Sequence, residues 1–164
     1  MVFKVDPAGQ ETVLHSFTGA DGGLPEAGVI RDSAGNLYGT TQTYGTTQNG
    51  FGAGVVFRLD KAGQETVLYT FTGGADGNQP YAGVVRDAAG NRYGTTYFGG
   101  TAGLGVVYQV DTSGQETVLH SFTGGADGGK PLAGLLRNSA GNLFGTTSLG
   151  GKKGAGVVFQ RPPR

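Results

Sequence analysis

The chain contains no cysteine and no tryptophan, only one methionine and two histidines. Without cysteine it builds neither a disulfide framework nor a thiolate metal site, and its redox compartment stays open. It has no run of about 18 apolar residues, so no bilayer-spanning helix is encoded. Charge of neither sign dominates: 12 lysines and arginines balance 12 aspartates and glutamates. No attraction to nucleic acid or to an acidic membrane surface is therefore expected. The opening residues, MVFKVDPAGQ, lack the basic start and apolar middle of a secretion signal.

What is abundant is glycine, 34 of 164 residues, about three times ordinary usage. Most of these glycines return at fixed positions of an internal repeat. GQETVLHSFTG at 9–19 returns as GQETVLYTFTG at 63–73 and again as GQETVLHSFTG at 114–124. AGVIRDSAGNLYGTT from Ala27 returns from Ala82 and Ala133, and GVVFRLD from Gly54 returns from Gly105 and Gly156. Met1 stands where those three glycines precede the same strand, as in a chain cut or copied from a longer array. Such self-similarity decides the architecture before any single residue does.

A second pattern, Asp/Asn-x-x-Gly-Asn/Gln, occurs six times, starting at Asp6, Asp32, Asp60, Asp87, Asp111 and Asn138. A leading carboxylate or amide caps the turn and glycine takes the left-handed position, so each marks a tight hairpin. The flanking runs are β-branched and aromatic, which predicts strands and excludes a helical protein. In Glu11 to Phe17, alternation predicts Val13, His15 and Phe17 on one face and Leu14 on the other. Bulk on both faces fits a sheet packed between two others.

Val2, Val56, Val107 and Val158 mark a period of about 50 residues holding four strands. That predicts an all-β fold, a β-propeller of four-stranded antiparallel blades with three blade-equivalents in one domain, 1–164. The repeats run from about 2–55, 56–106 and 107–157, with 158–164 beginning a fourth. The small Ala-Gly start places Ala27–Asp32 innermost, followed by Asn36–Thr41, Gly54–Leu59 and, outermost, Glu65–Thr70. The first outer strand, Glu11 to Phe17, is then expected to complete the last blade, leaving one third strand surplus. Three blades are few for a closed ring, so a homo-oligomer is expected, with a six-bladed dimer favoured.

The full unit, G-V-V-F-x-L-D-x-x-G-Q-E-T-V-L-x-x-F-T-G-G-A-D-G, followed by A-G-V-x-R-D-x-x-G-N-x-Y-G-T-T, resembles the GloVer-type tandem repeat. The resemblance covers Val2 to Gln160 and rests on long phrases. It implies a bacterial secreted or cell-surface protein with no assigned activity. The blade pattern is also similar, generically, to propellers of the virginiamycin B lyase and NHL-type families. No unique histidine and acid set allows the lyase's catalytic residues to be carried over.

His15, Tyr69 and His120 share one repeat position, which suggests a filler with a polar tip. Asp21, Asp76 and Asp127 recur in the Ala-Asp-Gly loops and are expected to cap turns. Arg31, Arg86 and Arg137 end the inner strand and are candidates for an axial channel, either salt-bridged to Asp32 and Asp87 or converging on an anion. The three copies differ most in their long connections: QTYGTTQNGFGA (42–53), YFGGTAGL (97–104) and SLGGKKGA (148–155). Glu26, Tyr81 and Leu132 also differ at one position. Loops on a rigid scaffold commonly carry binding, which makes Tyr44, Phe51, Tyr97, Phe98, Lys152 and Lys153 candidate ligand contacts.

No catalytic residue, cofactor or metal site is expected. The function anticipated is a non-enzymatic scaffold or binding module presenting its loops to a glycan or protein partner, without nucleic acid or membrane insertion. A purely structural, self-assembling unit is the alternative, and a channel-centred hydrolase or lyase the weakest reading.

Overall fold

A computed structural model of the chain describes residues 1–48 and 50–163, and of Phe51 the backbone alone. The described residues form fifteen strands and no helix. Strands β1 (Val2–Val5) and β2 (Glu11–His15) pair as a two-stranded sheet. Next come β3 (Ile30–Arg31), β4 (Leu37–Thr41), a small hairpin of β5 (Thr46–Thr47) and β6 (Gly50–Phe51), then β7 (Val55–Leu59) and β8 (Glu65–Thr70). They form an antiparallel sheet of order β3-β4-β7-β8, with β5-β6 apart. The second copy, β9 (Val85–Arg86), β10 (Arg92–Thr96), β11 (Val106–Val110) and β12 (Glu116–Ser121), repeats that order. The third, β13 (Leu136–Arg137), β14 (Leu143–Thr147) and β15 (Val157–Arg161), stops at three strands.

The six tight turns form as their chemistry dictates. Each leading Oδ1 accepts the amide four residues on, at 2.8–2.9 Å. The turn glycines all sit at φ between 82° and 96°, where a side chain is disfavoured.

The sheets stack face to face in three apolar layers, and each layer lies between successive copies. Val2, Leu14 and Phe17 pack on Val55, Phe57 and Leu59. Val56, Tyr38 and Phe71 pack on Val106, Tyr108 and Val110. Val107 and Phe122 pack on Leu135, Leu143 and Phe159. One edge-to-face aromatic pair recurs in every layer: Phe17–Phe57 at 5.1 Å, Phe71–Tyr108 at 4.9 Å and Phe122–Phe159 at 5.2 Å. The expectation of a sheet covered on both faces, made from Glu11 to Phe17, fails for β1-β2, where Phe3, Val5 and Val13 are exposed, and holds for the two complete sheets.

Two expectations are corrected. Strict alternation fails in the outer strands, because the register shifts between Val56 and Phe57, opposite Tyr69 and Val67. Leu68 is the extra residue of a β-bulge, and the same shift occurs in β1–β2 and β11–β12. Leu68 and Tyr69 consequently both serve the layer that holds Phe71, and Leu14 joins Phe17 rather than opposing it. Secondly, β2 does not complete the last sheet. It pairs with β1, to which a turn joins it directly, and among the described residues β15 has only β14 beside it.

Candidate functional site

The long connections are fixed by a backbone frame that repeats in each copy. Gln42, Tyr97 and Ser148 each donate an amide to the carbonyl of Leu24, Gln79 and Lys130, at 3.0–3.2 Å. Isolated bridges Gly23–Thr43, Asn78–Phe98 and Gly129–Leu149 continue the frame. Leu24, Gln79 and Lys130 hold φ of 54°, 57° and 55°, a conformation non-glycine residues adopt only when their surroundings enforce it. For Gln79 and Lys130 the enforcement is visible, since their amides are also held, by the Ala53 and Leu104 carbonyls at 2.9 and 2.7 Å. Leucine, glutamine and lysine therefore project from one strained, fixed position, and each precedes a proline. That substitution pattern was the available signal for this candidate position, which lies outside the long connections.

On this frame the middle copy builds an aromatic cluster. Tyr81 and Tyr97 meet edge to face at 5.3 Å, and Tyr97 and Phe98 at 4.6 Å. From the next copy Lys130 places Nζ 5.2 Å from the Tyr97 ring centre and 5.0 Å from that of Phe98. The three rings and the lysine are half-buried. The first copy has Glu26, Gln42 and Thr43 where the rings stand, and the third has Leu132, Ser148 and Leu149, so the cluster is particular to one copy.

Of the other loop candidates, Tyr44 lies elsewhere, at φ 64° and 48% exposed. It lines a cleft of about 610 Å³ with Phe17, Leu24 and Pro25. Lys152 and Lys153 are exposed on a turn of the third connection. The Phe51 side chain lies outside the described residues.

The inner arginines part company. Arg86 lies over the Tyr38 ring of the preceding copy at 5.8 Å, and Arg137 over Tyr93 at 5.9 Å. Arg31 lines a separate cleft of about 420 Å³ beside Lys4, Asp60 and Lys61. The expected salt bridges to Asp32 and Asp87 do not form; among the described residues the acid–base side-chain contacts are the hydrogen bonds His15–Asp21 and His120–Asp127. Asp32 is instead occupied by Asn36 and by the Tyr38 hydroxyl at 3.0 Å. Those bonds, led by the Asn36 side chain and helped by the Arg86 charge, hold its carboxyl down at about 2.

The histidine position is what its exchange with tyrosine suggests. His15 Nε2, the Tyr69 hydroxyl and His120 Nε2 each meet the loop aspartate of their own copy at 2.9, 2.9 and 3.1 Å. The same aspartates accept the amide and hydroxyl of Thr18, Thr72 and Thr123. Facing two of these loops from the next copy are Glu65 and Glu116, each with a buried Oε1 that has no partner among the described residues. Burial pushes both carboxyls up to about 7, with a contribution from the Asp21 and Asp76 charges respectively. Repeat symmetry within one copy could not reveal this contact, which forms between copies. No group of three or more histidine, aspartate or glutamate side chains suited to a metal ion occurs among the described residues.

The Gloeobacter/Verrucomicrobia repeat matches residues 42–164. The chain belongs to that family. No curated protein matches it. Each Gloeobacter/Verrucomicrobia repeat here contributes one sheet and one variable loop, and its apolar layer is completed only by the repeat beside it.

Proposed function

We propose that this Gloeobacter/Verrucomicrobia repeat protein is a non-enzymatic β-propeller scaffold that binds a glycan on its loop face. The observation that carries the reading is the Tyr81–Tyr97–Phe98 cluster with Lys130 above it. Half-exposed rings held rigidly by a repeated backbone frame lose little entropy on stacking against a sugar ring, and the lysine supplies a donor beside them. Blades converging on an axis are supported by the innermost strands, where a side chain on Gly83 would collide with the Gly28 carbonyl. Two chains closing a six-bladed ring suits three blade-equivalents per chain, and a bacterial surface location suits the family resemblance.

A glycan array probed with the purified chain tests the reading. Binding is expected for the native chain and loss of at least about tenfold in affinity for Tyr97→Ala, with an unchanged circular dichroism spectrum. Binding that survives Tyr97→Ala removes the cluster from the site. Absence of any bound glycan favours the second reading, a structural unit that assembles with itself, which the exposed apolar side chains of β1 and β15 support.

A further inference from the structure

Strands β1 and β15 are the same element of the repeat, and both present the edge that an outer strand takes. In β11–β12 the partners are Val107↔His120, Tyr108↔Val118, Gln109↔Thr117 and Val110↔Glu116. In β1–β2 they are Val2↔His15, Phe3↔Val13, Lys4↔Thr12 and Val5↔Glu11, with the same bulge. Val158, Phe159, Gln160 and Arg161 therefore fit β2 in place of Val2, Phe3, Lys4 and Val5. Among the described residues there are two claimants for β2 and one sheet, β13-β14-β15, of three strands without an outer one.

We propose that β2 of one chain exchanges β1 for β15 of a second copy, so that the three-stranded sheet of that copy gains its fourth strand. Four observations support the exchange, which rests on reading each sheet as one blade. First, β1 is lightly held: only Val2 is buried, while Phe3 is 51% and Val5 57% exposed. Second, Val158 is 81% exposed although Val56 and Val107, its equivalents, are wholly buried; after exchange it takes the place of Val2 against Val55 and Phe57.

Third, backbone bonds that continue from the paired third and outer strands have unused counterparts. The Gln79 and Lys130 amides bond to Ala53 and Leu104, and the Phe71 and Phe122 amides to Gly54 and Gly105. The matching pairs, Leu24 with Ala155 and Phe17 with Gly156, are unmade among the described residues. Exchange brings them together between chains. Fourth, a cleft of about 370 Å³ lined by Met1, Phe3, Pro25 and Val29 occupies the place where Leu136 and Phe144 of the second copy would lie. Ile30 and Tyr38 fill that place in the layer containing Val84. Glu11, opposite Val5 within the chain, would meet Arg161 instead, a favourable cross-strand pair. A cis strand that blocks β2 lowers association by the fraction of open edges it leaves.

The absence of native cysteine allows a direct test. Thr12→Cys and Gln160→Cys chains, both substituted at exposed positions, are mixed and oxidised. A mixed disulfide on a non-reducing gel is expected, since the equivalent Gln109 and Thr117 are paired; failure to form it overturns the exchange. Light scattering adds a second arm with opposite signs. Val158→Asp, at an exposed site, should abolish association, while Val2→Asp should strengthen it about tenfold by loosening β1. Association untouched by both substitutions refutes the exchange. A mixed disulfide in a ladder of sizes would uphold the exchange and sink the six-bladed ring. A mass of twice 16.7 kDa without the disulfide would do the reverse.

Discussion

Phe57 and Phe3 occupy one position of the repeat, follow a valine alike and face an outer-strand valine alike, Val67 and Val13. Phe57 is 1% exposed and Phe3 51%. Nothing in their own strands accounts for the contrast. Phe57 meets Phe17 and Val2 of the preceding copy, whereas Phe3 has no such neighbour among the described residues. Val107 and Val158 repeat the contrast on the opposite face, at 0% and 81%. Burial in this molecule is therefore conferred by the neighbouring copy, and stability approximates a sum of unit terms and nearest-neighbour terms.

Substitutions can break that comparison. The largest effect is expected for Phe57→Ala, which should cost roughly 3–5 kcal/mol in urea unfolding, while Phe3→Ala stays within about 0.5 kcal/mol. Equal losses would mean that the copies are not the units of burial. Gly105→Ala should follow at roughly 2–4 kcal/mol, because its φ is 94° and an added Cβ would strike the Thr96 carbonyl. Gly103→Ala, with open space around it, should cost about 1 kcal/mol. Tyr108 stands where Phe57 and Phe159 stand, but its wholly buried hydroxyl has no partner among the described residues. Tyr108→Phe should then stabilise by roughly 1 kcal/mol, and a loss would reveal a bond to that oxygen.

The glutamates give a smaller effect with a defined sign. Folding raises the carboxyls of Glu65 and Glu116 from 4.5 to about 7, so the folded chain binds protons more readily. Their contribution is full below about pH 4.5 and is lost as pH rises through about 7. Solvent screening of half-buried groups limits it to roughly 1 kcal/mol each. Denaturation curves between pH 4 and 8 should show the decline, and Glu65→Gln with Glu116→Gln should flatten it; an unchanged slope would assign the decline to other groups. Asp21, Asp87, Asp111 and Asp127 are lowered and act oppositely, protecting stability until pH falls below the ordinary aspartate range. Smallest of all, His120→Tyr should change stability by less than about 0.5 kcal/mol, since Tyr69 already makes the same contact with Asp76.

Much of the fold was legible because it is written locally. Six turns declare themselves in five residues each, and a strand order that is consecutive apart from the small β5-β6 hairpin needs no long-range information. The exchange of His15 with Tyr69 likewise disclosed a filler with a polar tip, though not the aspartate which that tip meets. The bulge at Leu68 was hidden, because an inserted residue leaves the apolar composition of a strand unchanged while reversing its faces. The partner of β2 was hidden for another reason: β1 and β15 carry the same pairing information, and proximity along the chain decided between them. For the candidate site, Tyr97 and Phe98 were found as loop aromatics. Lys130 was missed because it belongs to the next copy and reaches back, and Glu65 because its environment is made between copies.

The direct linkage of β1 to β2 also has a meaning in time. Synthesis adds about 5–20 residues each second, so β15 leaves the ribosome on the order of ten seconds after β2. Throughout that interval an outer strand rich in valine and leucine would present a bare hydrogen-bonding edge, the kind of surface on which nascent chains aggregate. Because β1 is made first, the edge is covered from the moment β2 emerges. On the proposed exchange, the lightly held β1 is then a temporary guard that covers β2 until β15 of a second copy arrives.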